Sequence, residues 1–77
     1  MIDELDTVVL TRDIPEHGLV TGDVGAVVHR YPDGPLFEVE FVTAEGCTVT
    51  VLRLDSADLR PMAGDEILHA RPLKPRS

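Results

Sequence analysis

Gly22-Asp23-Val24-Gly25-Ala26-Val27-Val28-His29-Arg30 sets a tight turn directly against a β-branched run. Gly22-Asp23 reads as the turn, and Val24 opens a strand that continues through Tyr31. A glycine inside a strand marks a bulge or a close approach of another backbone, and Gly25 stands at such a position. Next comes Pro32-Asp33-Gly34-Pro35, a hairpin turn in which proline presets φ and Asp-Gly accepts left-handed geometry. Phe37, Val39 and Phe41 then alternate with Glu38 and Glu40, the period of a strand with one wet face. Thr43-Ala44-Glu45-Gly46 is a second hairpin turn. Cys47 to Leu52 reads as the fourth strand, with Thr48 and Thr50 alternating against Val49 and Val51.

Outward from this centre, Thr7 to Leu10 is a β-branched first strand, preceded by an acidic opening in which only Ile2 and Leu5 are available to the core. Thr11 to Thr21 contains Pro15 and Gly18 without any period, so it is a long loop with Ile14 and Leu19 tucking its ends inward. Asp55 and Ser56 can cap a single helical or 3-10 turn within Leu54 to Leu59. Leu59 to Met62 is then a closing fifth strand, with Pro61 marking its end or an edge. Asp65 to Ala70 reads as one more strand or a helical turn. The fold expected is all-β: a small five-stranded SH3-like barrel over residues 1–62, with a short 3-10 turn before the last strand. Residues 63–77 are expected as an extra strand or an extended C-terminal tail punctuated by Pro72 and Pro75. An OB-fold fits less well, since it needs a longer chain and a helix between its third and fourth strands.

Seventy-seven residues make one domain with a single thin core, since a chain this short buries roughly 60% of the surface it exposes when unfolded. With 43% hydrophobic residues the chain is globular rather than disordered. The lone Cys47 excludes an intramolecular disulfide; it has no neighbouring base and reads as a half-buried structural thiol. No apolar run approaches membrane length and no signal-like segment opens the chain, so a bacterial-type cytoplasmic protein is expected.

The net charge is −7, unevenly placed. Residues 1–59 hold three basic side chains against twelve acidic ones, whereas residues 60–77 hold four against two. Such a chain is a poor ligand for nucleic acid, which is gripped through phosphate neutralisation by Lys and Arg, even counting Arg60, Arg71, Lys74 and Arg76. The acidic body suits a basic protein partner, with charge speeding encounter and setting specificity.

Glu38 and Glu40 project from one strand face about 7 Å apart. With a histidine that spacing is open to acid/base work, provided a pocket shifts one pKa; as solvated carboxylates they simply keep the wet face soluble. His17, His29 and His69 lack His-x₃-His or Cys-x₂-Cys spacing, even with Asp13 and Glu16 beside His17, so no metal and no cofactor is expected. The glycines form no phosphate loop, since no lysine precedes Lys74. Tyr31, Phe37 and Phe41 are too few aromatics for a base-stacking or proline-peptide surface. What remains for a partner is the loop Arg12 to Thr21 and the acidic strand face, with Asp13, Glu16, His17, Glu38 and Glu40 as candidate partner-binding residues. A leftover sheet edge leaves a homodimer open.

The blocks Asp6-Thr-Val-Val-Leu, Ile14-Pro-Glu-His-Gly-Leu, Gly22-Asp-Val-Gly-Ala-Val-Val, Glu38-Val-Glu-Phe, Gly46-Cys-Thr and Leu59-Arg-Pro together resemble a family of short bacterial and cyanobacterial proteins grouped as a domain of unknown function. The resemblance covers residues 2–62. It implies an SH3-like barrel and, from some members, an antitoxin-like or accessory role; it brings no catalytic residues. The function expected is a non-enzymatic, acidic protein-interaction module that binds a basic protein. The alternative is a small metal-dependent or acid/base catalytic protein using Glu38, Glu40 and a histidine.

Overall fold

The computed structural model describes residues 2–73, in which five strands form one antiparallel sheet. They are β1 (Thr7–Leu10), β2 (Val24–Arg30), β3 (Leu36–Val42), β4 (Thr48–Asp55) and β5 (Leu59–Pro61), with 3-10 turns at Pro15–His17 and Ser56–Asp58. Across the sheet the order is β4-β3-β2-β1-β5. The turns at Pro32–Pro35 and Thr43–Gly46 place β3 beside β2 and β4 beside β3. β5 returns to the free side of β1, with Leu10 opposite Leu59. The expected all-β, five-stranded arrangement is present. β4 and β5 each have a single ladder neighbour, so the sheet is open between them.

The core lies on the face to which β3 turns Phe37, Val39 and Phe41, joined by Val8, Leu10, Val27, Leu54 and Leu59 and capped by Ile2, Ile14 and Leu19. Burying each such side chain fully stabilises by roughly 1.5–3 kcal/mol. Gly25 sits where β2 crosses this face. A Cβ there would lie 2.6 Å from Val39 Cγ1, 2.9 Å from Phe41 Cε1 and 3.0 Å from the Glu40 carbonyl oxygen. Of the two expected roles for Gly25, close approach is the one realised. The bulge lies further on, because Val27 pairs with Val39 and His29 with Glu38, leaving Val28 as the extra residue.

A second bulge overturns part of the fourth-strand reading. Phe41 pairs with Thr50 and Val42 with Thr48, so Val49 is the extra residue. Val49 packs against the core with Leu52, while Val51 stands exposed on the opposite side; the two valines do not share a face. The same irregularity delays the strand to Thr48. Cys47 therefore stays in the turn, donating its amide to Thr43 Oγ1 at 3.2 Å, and is exposed rather than half-buried. Leu5 is also corrected. It adopts φ 73° in the turn between Asp3 and Asp6, which carries its side chain outward to 86% exposure, while Ile2 is buried as expected.

The loop from Thr11 closes through the Ile14–Leu19 bridge around the Pro15–His17 turn, and both apolar ends are buried. At the other connection, Asp55 Oδ1 accepts from the Ala57 amide at 2.9 Å and Asp58 Oδ2 accepts from the Asp55 amide at 3.2 Å, a capping box around Ser56–Asp58. Arg12 Nε donates to Asp58 Oδ1 at 2.7 Å and ties the early loop to this turn.

Residues 62–73 contain no strand or helix, which corrects the expectation for Asp65 to Ala70. A turn at Gly64–Asp65 is fixed by Glu66 Oε1, which accepts from the Ala63 amide at 2.7 Å and from Arg60 Nη1 at 2.9 Å. Beyond it the chain is held by side chains instead of a ladder, and Pro72 has no amide to offer one. Lys74 and Pro75 to Ser77, the end of the expected tail and two of its cations, lie outside the described residues. No helix among the described residues is long and apolar enough to cross a membrane.

Candidate functional site

The turn Val20–Asp23 closes when the Asp23 amide donates to the Val20 carbonyl at 3.0 Å, with Gly22 at φ 97° supplying the positive φ such a turn needs at its third residue. Two further main-chain bonds lock it to β1: Leu10 donates to the Asp23 carbonyl and Gly22 to the Leu10 carbonyl, both at 2.9 Å. This fixes Asp23 at the mouth of the core. It is the one buried charged side chain among the described residues.

A carboxylate placed there needs partners, and it has four donors around it. Oδ2 accepts from the Val20 amide at 3.0 Å and from Arg71 Nη2 at 2.6 Å. Oδ1 accepts from Arg71 Nε at 2.8 Å and faces His69 Nε2 at 3.2 Å. Arg71 Nη2 also donates to the Gly18 carbonyl at 2.9 Å. Burial by itself pushes the Asp23 carboxyl up, but the bonds from Arg71 and Val20 and the charges of Arg71 and His69 outweigh it and hold the carboxyl below its ordinary range. The Arg71 guanidinium is correspondingly raised by its bond to Asp23.

Around this pair the segment Leu68–Leu73 lies over the sheet end and frames an open groove of about 670 Å³, floored by Leu19, Val24, Phe41 and Val49. The segment forms one wall of the groove and the edge of the core forms its floor.

On the outer face the carboxylates of β3 are engaged by their neighbours. Glu38 accepts from the Tyr31 hydroxyl, and Glu40 accepts from Thr48 Oγ1 at 2.7 Å. The bond to Glu38 raises the Tyr31 phenol. His29, opposite Glu38 in the ladder, meets the Tyr31 ring edge-on at 4.7 Å, and Arg53 lies 5.3 Å from the centre of that ring. His29 Nδ1 also lies 3.5 Å from Glu4 Oε2. This cluster is a patch on the sheet surface, where Glu38, Tyr31, His29 and Arg53 share hydrogen bonds and ring contacts.

The loop candidates sit elsewhere. Asp13 Oδ1 accepts from the Thr21 amide at 2.7 Å and from Thr21 Oγ1 at 3.0 Å, which lower its carboxyl and staple the loop. Glu16 and His17 stand exposed on the Pro15–His17 turn. Among the described residues, no hydrogen bond or ion pair joins Asp13, Glu16 or His17 to Glu38 or Glu40. Nor do three His, Cys, Asp or Glu side chains converge as metal ligands would.

Asp23, His69 and Arg71 are the residues sequence reasoning missed. Asp23 reads as a turn residue, and its partner lies 48 positions away. The available signal was the charge split. A cation in the basic stretch that starts at Arg60 folds back onto the acidic body.

Residues 4–61 match the family described as Domain of unknown function (DUF4926). No curated protein and no solved structure matches the chain.

Proposed function

This chain belongs to the DUF4926 family, and on that premise we propose that it is a non-catalytic, acidic interaction module that docks a basic protein, in an antitoxin-like or accessory-subunit role. One observation carries the reading. The three arginines of residues 1–59 are each engaged within the molecule: Arg12 on Asp58, Arg30 on Asp3, and Arg53 over Tyr31. The excess of carboxylates is left to the surface, Glu16, Asp33 and Glu45 among those exposed. A field of one sign accelerates the approach of an oppositely charged partner and discriminates against acidic ones.

The finer fold we propose is the SH3-like barrel. It is supported by the return of β5 to β1 and by the single 3-10 turn linking β4 to β5. Such a scaffold presents the loop carrying Asp13, Glu16 and His17 and the face carrying Glu38 and Glu40 on a rigid sheet.

The test is co-expression with the product of the neighbouring gene. Expected is a complex that forms at about 0.01 M salt, where charges act over about 30 Å, and dissociates at about 1 M salt, where they act over about 3 Å. Absence of a complex at low salt, or one indifferent to salt, overturns the reading.

The catalytic alternative draws on one arrangement, His29 and Tyr31 gathered at Glu38. Elemental analysis of the purified protein separates it from the module. Stoichiometric zinc or manganese supports a metal-dependent protein, and folding indifferent to chelator counts against one.

A further inference from the structure

We propose that the groove at Asp23 is a receptor for an arginine-bearing extended peptide of a basic partner, and that this chain's own Arg71, carried by the segment Leu68–Leu73, takes its guanidinium seat in cis. The inference deepens the interaction-module reading by naming its docking site and rests on that reading for the existence of a partner.

The recognition chemistry is specific to guanidinium. Asp23 takes Nε and Nη2 of Arg71 on its two oxygens at 2.8 and 2.6 Å, and the Gly18 carbonyl takes Nη2 a second time at 2.9 Å. Three acceptors disposed around one planar fork suit arginine, whereas a lysine ammonium would reach them as a single point. All three acceptors are prearranged by the body. Asp23 is held by the Val20 amide and by main-chain bonds to Leu10, and Gly18 by its amide, which donates to the Pro15 carbonyl at 3.1 Å. Apolar side chains at Leu19, Phe41 and Val49 line the open remainder, which this chain's own segment leaves unfilled and which residues flanking a partner's arginine can enter.

Occupant and receptor belong to different parts of the chain. Asp23, Gly18 and the floor fall within residues 4–61, the stretch that matches the family, and Arg71 falls outside it. Among the described residues, no main-chain hydrogen bond joins residues 67–73 to the body. Ile67, Leu68 and Leu73 remain 94%, 68% and 47% exposed. The segment is thus retained by Arg71 and His69 side chains while most of its apolar surface stays uncovered, the condition of an occupant that another arginine peptide can displace. Because it is tethered, it competes at an effective concentration in the millimolar range, and a partner must exceed that threshold.

The experiment titrates the full chain, wild type and Arg71→Ala, with a synthetic peptide of residues 66–73, following amide resonances of Val20, Asp23 and Phe41. Expected is saturable binding to Arg71→Ala at about tenfold lower peptide concentration than to wild type, since the competing cis occupant is weakened. The same peptide with alanine for arginine should leave the resonances unmoved. Adding Asp23→Asn to Arg71→Ala should abolish binding while the spectrum stays dispersed. Equal titration of both proteins, equal binding of both peptides, or no saturable shift overturns the proposal. Hydrogen exchange on the wild type gives a check free of mutation: residues 67–73 should exchange far faster than β1, and equal protection overturns displaceability. A wild-type dimer that Arg71→Ala dissociates would mean exchange of the segment between copies, which overturns occupancy in cis. Failure of the neighbouring-gene complex with intact peptide binding sinks the function reading and spares the groove; the reverse result sinks the groove alone.

Discussion

Two parts of this chain are attached to the same sheet by opposite means. The body, residues 2–61, is held by ladders on both sides of β1, β2 and β3 and by a core in which Val8, Val27 and Val39 are wholly excluded from solvent. The stretch from Gly64 to Leu73 has no regular element and is held by the ion pairs of Arg60 with Glu66 and of Arg71 with Asp23. The first attachment is distributed over many main-chain bonds and apolar contacts and depends little on any one charge. The second is concentrated in a few charged side chains and answers to salt and pH. Stability and accessibility are thereby assigned to different regions of a very small protein.

The contrast can be broken most forcefully from the body. Leu10, 1% exposed, should lose about 2–5 kcal/mol of global stability on replacement by alanine, read as a lower denaturation midpoint with an unchanged slope. A smaller loss localised to residues 64–73 would show that the two regions are not separate. Next comes Gly25→Ala. Its new Cβ meets the Glu40 backbone and two core side chains, so about 1–3 kcal/mol of overpacking cost is expected by the same measurement.

Acid should separate the regions instead of collapsing both. The Asp23 carboxyl is held below its ordinary value of 3.8. Its stabilising contact is therefore complete above that value and is lost as pH falls through the lower folded one. The Arg71 guanidinium and His69 Nε2, at 2.6 and 3.2 Å, face this carboxylate and Asp13 lies near it, so protonation removes the one group that Arg71 and His69 share. Hydrogen exchange or limited proteolysis, followed as pH falls through that lowered value, should show residues 67–73 released while β1 to β3 stay protected. Asp58, lowered by Arg12, titrates in the same direction and moderates global stability over the same window. The smallest effect belongs to the outer face. Tyr31→Phe removes one half-buried bond to Glu38 and should lower global stability by about 1 kcal/mol.

Legibility in the sequence follows the same division. Alternation along Phe37 to Phe41 and the turns at Pro32–Pro35 and Thr43–Gly46 are local signals, and the strands they imply are present. Local signals fail where one extra residue changes phase. Val49 and Val51 read as partners on one face, and the bulge at Val49 sends them to opposite ones. Leu5 and Cys47 depart from their local signals for a related reason, each lying in a turn whose geometry outweighs its side-chain preference. The groove is the least legible feature, since Asp23 and Arg71 meet across 48 positions and no motif pairs them. Asp13, Glu16, His17, Glu38 and Glu40 stand out in the sequence by charge and setting, properties of single residues. A site assembled by chain return is a property of pairs.

The borders of the sheet are unequal. β4 runs eight residues, from Thr48 to Asp55, with one side unpaired, while β5 offers three residues ending in Pro61. Endless stacking of molecules needs two receptive borders, and a three-residue rim lacking an amide at its last position cannot serve as the second. Any polymer nucleated along the long border is consequently terminated at its first step, capped by symmetry at a pair.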